Sequence, residues 1–204
     1  MDYRTILVAV SGGSASVGAV ELACRLAHRF ASHLEAFHDI FPLREIRAFG
    51  RGAANRDALC RAAEARGLRA IASESAREAI EGADLVVTTV TLSPKIAPFL
   101  DARWLKAGAF AAVTDLALPW LPEGMTAFER IVIDDLEQEA KMTRPMVAPD
   151  LVAGDLAALV AGELPGRRSL QERTAFVFRG VAVGDLAVAG LAYRRAQASG
   201  ALAS

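Results

Sequence analysis

Thr5-Ile6-Leu7-Val8-Ala9-Val10-Ser11-Gly12-Gly13-Ser14 is the stretch on which the fold of this chain turns. The apolar run Ile6–Val10 is too short for the core of a signal peptide, and Asp2 spoils the basic segment that would precede one. It reads instead as a buried strand. Ser11–Ser14 then reads as the turn that delivers the chain into a helix. The same alternation continues to the end of the sequence. β-Branched runs predict strands over Thr5–Val10, Glu45–Phe49, Arg69–Ala72, Leu85–Thr89, Ala109–Val113, Arg130–Ile133 and Thr174–Phe178. Ala/Leu/Arg stretches with helical spacing predict helices over Ser14–Ala31, Asn55–Arg66, Ala76–Glu81, Leu136–Met142, Leu151–Ala161 and Val181–Gln197. Strand and helix in turn are the mark of βαβ units, so the expected fold is α/β: a Rossmann-like, doubly wound, mainly parallel sheet. The strands are continuously apolar, which predicts helices on both sheet faces. In the last helix Ala182, Leu186, Ala189 and Tyr193 share one apolar face, expected to pack on the sheet or on a partner.

Composition narrows the class. The chain has 204 residues, 53% hydrophobic and 23% charged, with Lys+Arg 23 against Asp+Glu 24. That is enough apolar surface for one core and no net field, which argues against disorder and against nucleic acid as a partner. Mean hydropathy is +0.28, yet charge-free runs such as Thr5–Val20 and Ala107–Thr114 fall short of the ~18 apolar residues a membrane span needs. Cys24 and Cys60 have no C-x-x-C spacing, so a reducing, cytoplasmic setting is expected. No repeat and no linker divides the chain, and residues 1–204 are expected to form a single domain.

Ligands of open α/β sheets bind beyond the carboxyl ends of the strands. Ser11, Gly12, Gly13 and Ser14 join the first strand to a helix, where free amides and the helix dipole attract an anion. They form either a phosphate loop or a plain turn and N-cap, since G-x-G-x-x-G is absent. Gly50 and Arg51 follow the second strand, where Arg51 either meets the 2′-phosphate of a dinucleotide or is a solvated loop arginine. Thr88, Thr89, Val90 and Thr91 end a buried strand and either face a cofactor or cap that strand. Asp115 directly follows an apolar strand, so burial is expected to raise its pKa toward a useful acid/base value. On the residues alone a structural and a functional Asp115 stand even.

Other constellations point nowhere. His28, His33 and His38 are spaced by five, about 140° apart on a helix, so no metal site is expected. Asp134-Asp135 and Glu137-Gln138-Glu139 read as helix capping. Neither G-x-x-x-x-G-K-[ST] nor G-x-S-x-G occurs, which removes support for ATPase and acyl-transfer chemistry.

Several segments carry a resemblance in order and spacing: Arg44–Arg51, Ala83–Thr91, Trp104–Ala109, Val113-Thr114-Asp115 and Phe178–Leu186. From about His33 onward the chain resembles the dinucleotide-binding part of the ornithine cyclodeaminase/mu-crystallin family. The resemblance implies NAD or NADP as cofactor, Arg51 at its adenosine end, Thr88–Thr91 beside it, and Asp115 as the carboxylate serving proton transfer at the substrate's amino-bearing carbon. Residues 1–36 or so resemble the opening of a universal stress protein, with its first strand and helix in 1–32, through Tyr3–Val10, Val20–Ala27 and His33–Ala36. That family's adenine aspartate is replaced by Ser11. The cyclodeaminase glycine loop should fall at Arg25–Ser32, which contains no glycine, and a helix running through Ile40 is expected there. Nothing in the chain matches that family's substrate domain.

The expected activity is therefore that of an NAD(P)-dependent lyase or oxidoreductase acting on amino acids or cyclic imines. Weak cofactor binding and no turnover are expected of the chain alone. A non-catalytic, stress-protein-like nucleotide module is the alternative. A homo-oligomer is left open.

Overall fold

The computed structural model describes residues 5–10, 40–50, 52–93, 95–180 and 182–199. Its strands are β1 (Thr5–Val10), β2 (Glu45–Gly50), β3 (Arg69–Ala72), β4 (Leu85–Thr89), β5 (Phe110–Val113), β6 (Arg130–Ile133), β7 (Val152–Asp155) and β8 (Thr174–Val177). They form one sheet in the order β3-β2-β1-β4-β5-β8-β6-β7. Every pairing in it is parallel. The α-helices are α1 (Ala53–Glu64), α2 (Ala76–Ile80), α3 (Leu136–Ala140), α4 (Leu156–Ala161) and α5 (Ala182–Ala198). This is the Rossmann-like, doubly wound architecture expected from the alternation.

Local chemistry sets the helix starts. Ser75 Oγ accepts the Glu78 amide at 3.1 Å, and the Glu78 carboxylate reaches back to the Glu74 amide at 2.9 Å, a near relative of the capping box. Asp135 caps α3 through the Gln138 amide at 2.8 Å, as the acidic patch suggested. Asp155 caps α4 through the Ala158 amide at 2.9 Å.

The central strands divide two cores. Leu85 and Val87 of β4 face a cluster with Ile46, Ala48, Leu59 and Ala63. Val86 faces the opposite cluster with Ala111, Val113, Ile131, Ile133, Ala175 and Val177. A strand whose neighbours alternate between two apolar layers cannot show polar alternation, which is why β4 reads as a continuous apolar run.

One expectation needs correction. The predicted helix Leu151–Ala161 is in fact a 3₁₀ turn over Pro149–Leu151, then β7, then α4. Pro149 starts the turn, and Gly154 lets β7 pass close to Leu164, whose Cδ2 would lie 2.8 Å from any added Cβ. Asp155 then restarts the chain as helix. The predicted last helix is present as α5, and Leu186, 72% exposed, and Tyr193, 58% exposed, are not covered by the sheet, the other setting expected for that face being a partner. The predicted helix Ser14–Ala31 and its continuation toward Ile40 lie outside the described residues, apart from Ile40 itself, which is helical.

Candidate functional site

The strand order places β2 and β3 on one side of β1 and all later strands on the other. The reversal between β1 and β4 opens a crevice at their carboxyl ends, the place where such sheets hold ligands. Register brings three ends level: Val10 pairs with Gly50 on β2 and with Thr89 on β4. Gly50 has no side chain and Thr89 a short, half-buried one. Ser11, Gly12, Gly13, Ser14 and Arg51, predicted to complete this site, lie outside the described residues.

The four residues from Thr88 to Thr91 do not act as one group. Thr91 is exposed, Val90 is buried, and Thr88 is fully buried. The Thr88 hydroxyl donates to Asp115 Oδ1 at 3.1 Å and accepts from Trp120 Nε1 at 3.3 Å, so it points into the protein and not into the crevice. Its carbonyl also accepts the Thr114 amide at 3.0 Å and the Thr114 hydroxyl at 2.9 Å.

Asp115, completely buried, is the centre of this arrangement. The Val90 amide donates to Oδ2 at 3.0 Å, and the amides of Asp115 and Ala117 also face the carboxylate. Burial pushes its pKa up to about 6, and these donors keep it from rising further. The expected direction is found. The turn that follows is strained: Leu116 and Ala117 have φ of 58° and 56°, left-handed values that cost a non-glycine residue about 1–2 kcal/mol each. The Ala117 amide on Asp115 and the Leu118 amide on the Asp115 carbonyl, at 3.1 Å, offset that cost.

Sequence reasoning missed another buried carboxylate after a strand. Asp134, 6% exposed, was grouped with the capping residues. It accepts the Arg179 amide at 2.9 Å and the Gly180 amide at 2.7 Å, fastening the exit of β8 to the end of β6. Arg179 in turn pairs with Glu139 at 2.7 Å. The available signal was an aspartate directly after the apolar strand Arg130–Ile133, the same signature that singled out Asp115. Among the described residues no group of His, Cys, Asp or Glu could hold a metal ion, and no helix is long and apolar enough to cross a membrane.

Comparison with known proteins matches residues 28–200 to the ornithine cyclodeaminase/mu-crystallin family model. An alanine dehydrogenase of Archaeoglobus fulgidus is 27% identical over 80% of this chain and 52% of its own length. An N-((2S)-2-amino-2-carboxyethyl)-L-glutamate dehydrogenase of Staphylococcus aureus is 29% identical over 62% of this chain and 39% of its own length. The chain thus spans about half the length, or less, of these curated relatives. Among solved structures, Thermococcus litoralis Δ(1)-pyrroline-2-carboxylate reductase with NADH and L-proline superposes with TM-score 0.73 at 21% identity, covering 98% of this chain and 60% of that one. The iminosuccinate reductase of Paracoccus denitrificans with NAD+ gives TM-score 0.66 at 23% identity, covering 97% and 58%. The segment likened to a stress protein lies mostly before the matched region and, β1 apart, outside the described residues up to Ile40. The alternating fold, the ordered motifs and the match over residues 28–200 agree: this chain belongs to the ornithine cyclodeaminase/mu-crystallin family.

Proposed function

We propose that this chain is the NAD(P)-binding part of an enzyme that interconverts amino acids and their imines, as a reductase, dehydrogenase or cyclodeaminase. The observation that carries this reading is Asp115, a buried carboxyl with a pKa near 6 beside the end of β4, whose Thr89 lines the rim of the crevice. Relatives with this fold are amino-acid dehydrogenases and imine reductases, two of them solved with NADH or NAD+. On this reading Gly50 and Arg51 would meet the adenosine end of a dinucleotide, Ser11–Ser14 its phosphates and Thr89–Thr91 its far side; the level, small Gly50 and Thr89 support it. NAD(P), when bound, supplies the hydride acceptor and donor.

The chain's own residues manage a proton. With a pKa near 6, Asp115 exchanges one close to neutral pH, where acid/base catalysis is most effective. Thr88 and the Val90 amide orient the carboxylate. Asp115 is enclosed, so a substrate reaches it through movement of the Leu116–Leu118 turn. Alignment of substrate and cofactor, worth about 7–11 kcal/mol of barrier, needs more than one carboxylate. The chain alone therefore binds nucleotide weakly and does not turn over substrate.

A fluorescence titration with NADH, NADPH and ATP tests the reading. Saturable weak binding of NADPH in preference to NADH, reduced by Arg51→Ala, is expected. Binding of ATP in preference to both would favour the stress-protein-like alternative and overturn it.

A further inference from the structure

The turn after Asp115 is anchored to the rest of the protein at its two ends. On the strand side the Thr114 amide donates to the Thr88 carbonyl at 3.0 Å. On the far side the Pro119 carbonyl accepts the Phe99 and Leu100 amides, both at 2.8 Å, and the Leu121 amide donates to the Leu100 carbonyl at 2.8 Å. Between these anchors the hydrogen bonds run within the turn or to Asp115: the Leu118 amide to the Asp115 carbonyl at 3.1 Å, the Trp120 amide to the Ala117 carbonyl at 3.0 Å, and the Ala117 amide to the Asp115 carboxylate. Leu116 and Ala117 are also the two non-glycine residues with left-handed φ among the described residues. Such conformations persist only where their surroundings impose them, and they cluster at switch segments. A cavity of about 210 Å³ adjoins the turn, lined by Leu116, Ala117 and Leu118 with Pro98, Met146 and Ala148 among others. The turn can therefore shift without displacing close-packed side chains.

Leu116 and Leu118 are half-buried, whereas the Asp115 carboxylate is completely enclosed. The groups that reach it are all neutral: the Thr88 hydroxyl and the amides of Val90, Asp115 and Ala117. Trp120 adds its indole to Thr88. Of the charged residues on neighbouring segments, Asp101 and Arg103 neutralise each other, and Lys95 and Arg144 are exposed. An enclosed carboxylate without a cation prefers to be neutral, and the preference disappears once water reaches it. By linkage, the closed turn gains at low pH, and the form that admits water gains as the carboxyl ionises. Opening also frees the left-handed pair, which acts in the same direction. Loss of the Ala117 hydrogen bond opposes both, but burial outweighs the amide donors in setting the proton affinity of Asp115.

We propose that Leu116–Leu118 is a proton-controlled lid, closed over the neutral Asp115 carboxyl and opened by its ionisation, so that a substrate meets this group in the form able to accept a proton. The benefit to a substrate rests on the reading of Asp115 as the proton-exchanging group; the motion itself does not.

Amide hydrogen exchange of the full chain, without nucleotide or substrate, tests the motion, and its failure leaves the nucleotide titration untouched. Rates at Ala117 and Leu118 are referred to the intrinsic rate at each pH. Protection at both should fall about tenfold from pH 5 to pH 7.5 and level off above about pH 6.5. In low urea these rates should stay constant while those at Val86 and Ile131 rise, which separates opening of the turn from global unfolding. Asp115→Asn, neutral at every pH, should remove the pH dependence. Thr88→Val, which takes away a donor to the ionised form, should move the levelling point to higher pH and so tests the lid independently of the first variant. Protection indifferent to pH, a pH dependence that survives Asp115→Asn, a levelling point unmoved by Thr88→Val, or a urea response like that of the strand amides would each overturn the proposal.

Discussion

Thr88 and Asp115, 27 positions apart in sequence, meet through a 3.1 Å hydrogen bond across the β4–β5 seam. Thr88 accepts the Trp120 N–H, so its own proton is directed at the carboxylate. One hydroxyl thereby links an indole, a strand end and a buried acid.

The raised pKa of Asp115 makes stability depend on pH in a defined sense. The folded carboxyl, near 6, holds its proton more tightly than an unfolded one near 3.8. Its contribution to stability is full below about pH 3.8, falls as pH rises to about 6, and is constant above that, a change of about 3 kcal/mol. Urea unfolding of wild type and Asp115→Asn between pH 4 and 7 should show the wild type losing that amount relative to the variant. A pH-independent difference would refute it.

Thr88→Val keeps the shape of the side chain but leaves Trp120 Nε1 and Asp115 Oδ1 without their partner. Leaving buried polar groups unpaired costs about 1–3 kcal/mol each, so a loss of roughly 2–4 kcal/mol is expected. The Asp115 midpoint should move above 6, because a donor to the ionised form is gone. Thr88→Ser should retain both properties in the same unfolding series.

Asp134→Ala removes the acceptor for three backbone amides at once, those of Asp135, Arg179 and Gly180. Hydrogen exchange at Arg179 and Gly180 should accelerate, and stability should fall by about 2–4 kcal/mol. Unchanged protection at those amides would show that the loop is held by other means.

Gly108 and Gly67 both adopt left-handed φ, 80° and 77°. A Cβ on Gly108 would run into the Leu170 carbonyl oxygen, whereas one on Gly67 meets nothing within 4 Å. Gly67→Ala should therefore cost only the conformational penalty, about 1–2 kcal/mol. Gly108→Ala should cost clearly more, since the Leu170 backbone must shift. Thermal unfolding of the two variants side by side makes the comparison.

Much of the architecture was legible because strand and helix announce themselves locally. All seven runs marked as strands are strands, for an apolar β-branched run between turn residues has few other ways to be buried. β7 escaped notice because Val152–Asp155 is short and runs straight into the apolar stretch of α4; its pairing with β6 and the close pass by Leu164 decide its conformation, and neither is local. Asp115 was visible as an acid stranded after an apolar strand, and so, by the same rule, was Asp134, whose partners Arg179 and Gly180 lie some 45 positions away. Sequence alone determined which segments alternate, that Asp115 would be buried and which way burial would move its pKa, since each depends on a residue and its immediate neighbours. Only tertiary structure decided that Thr88 turns inward to Trp120 and Asp115, that Arg179 is neutralised by Glu139, and that Asp134 fastens the exit of β8 to the end of β6. Those outcomes depend on which strand ends are brought side by side, and that follows from the packing of the whole sheet.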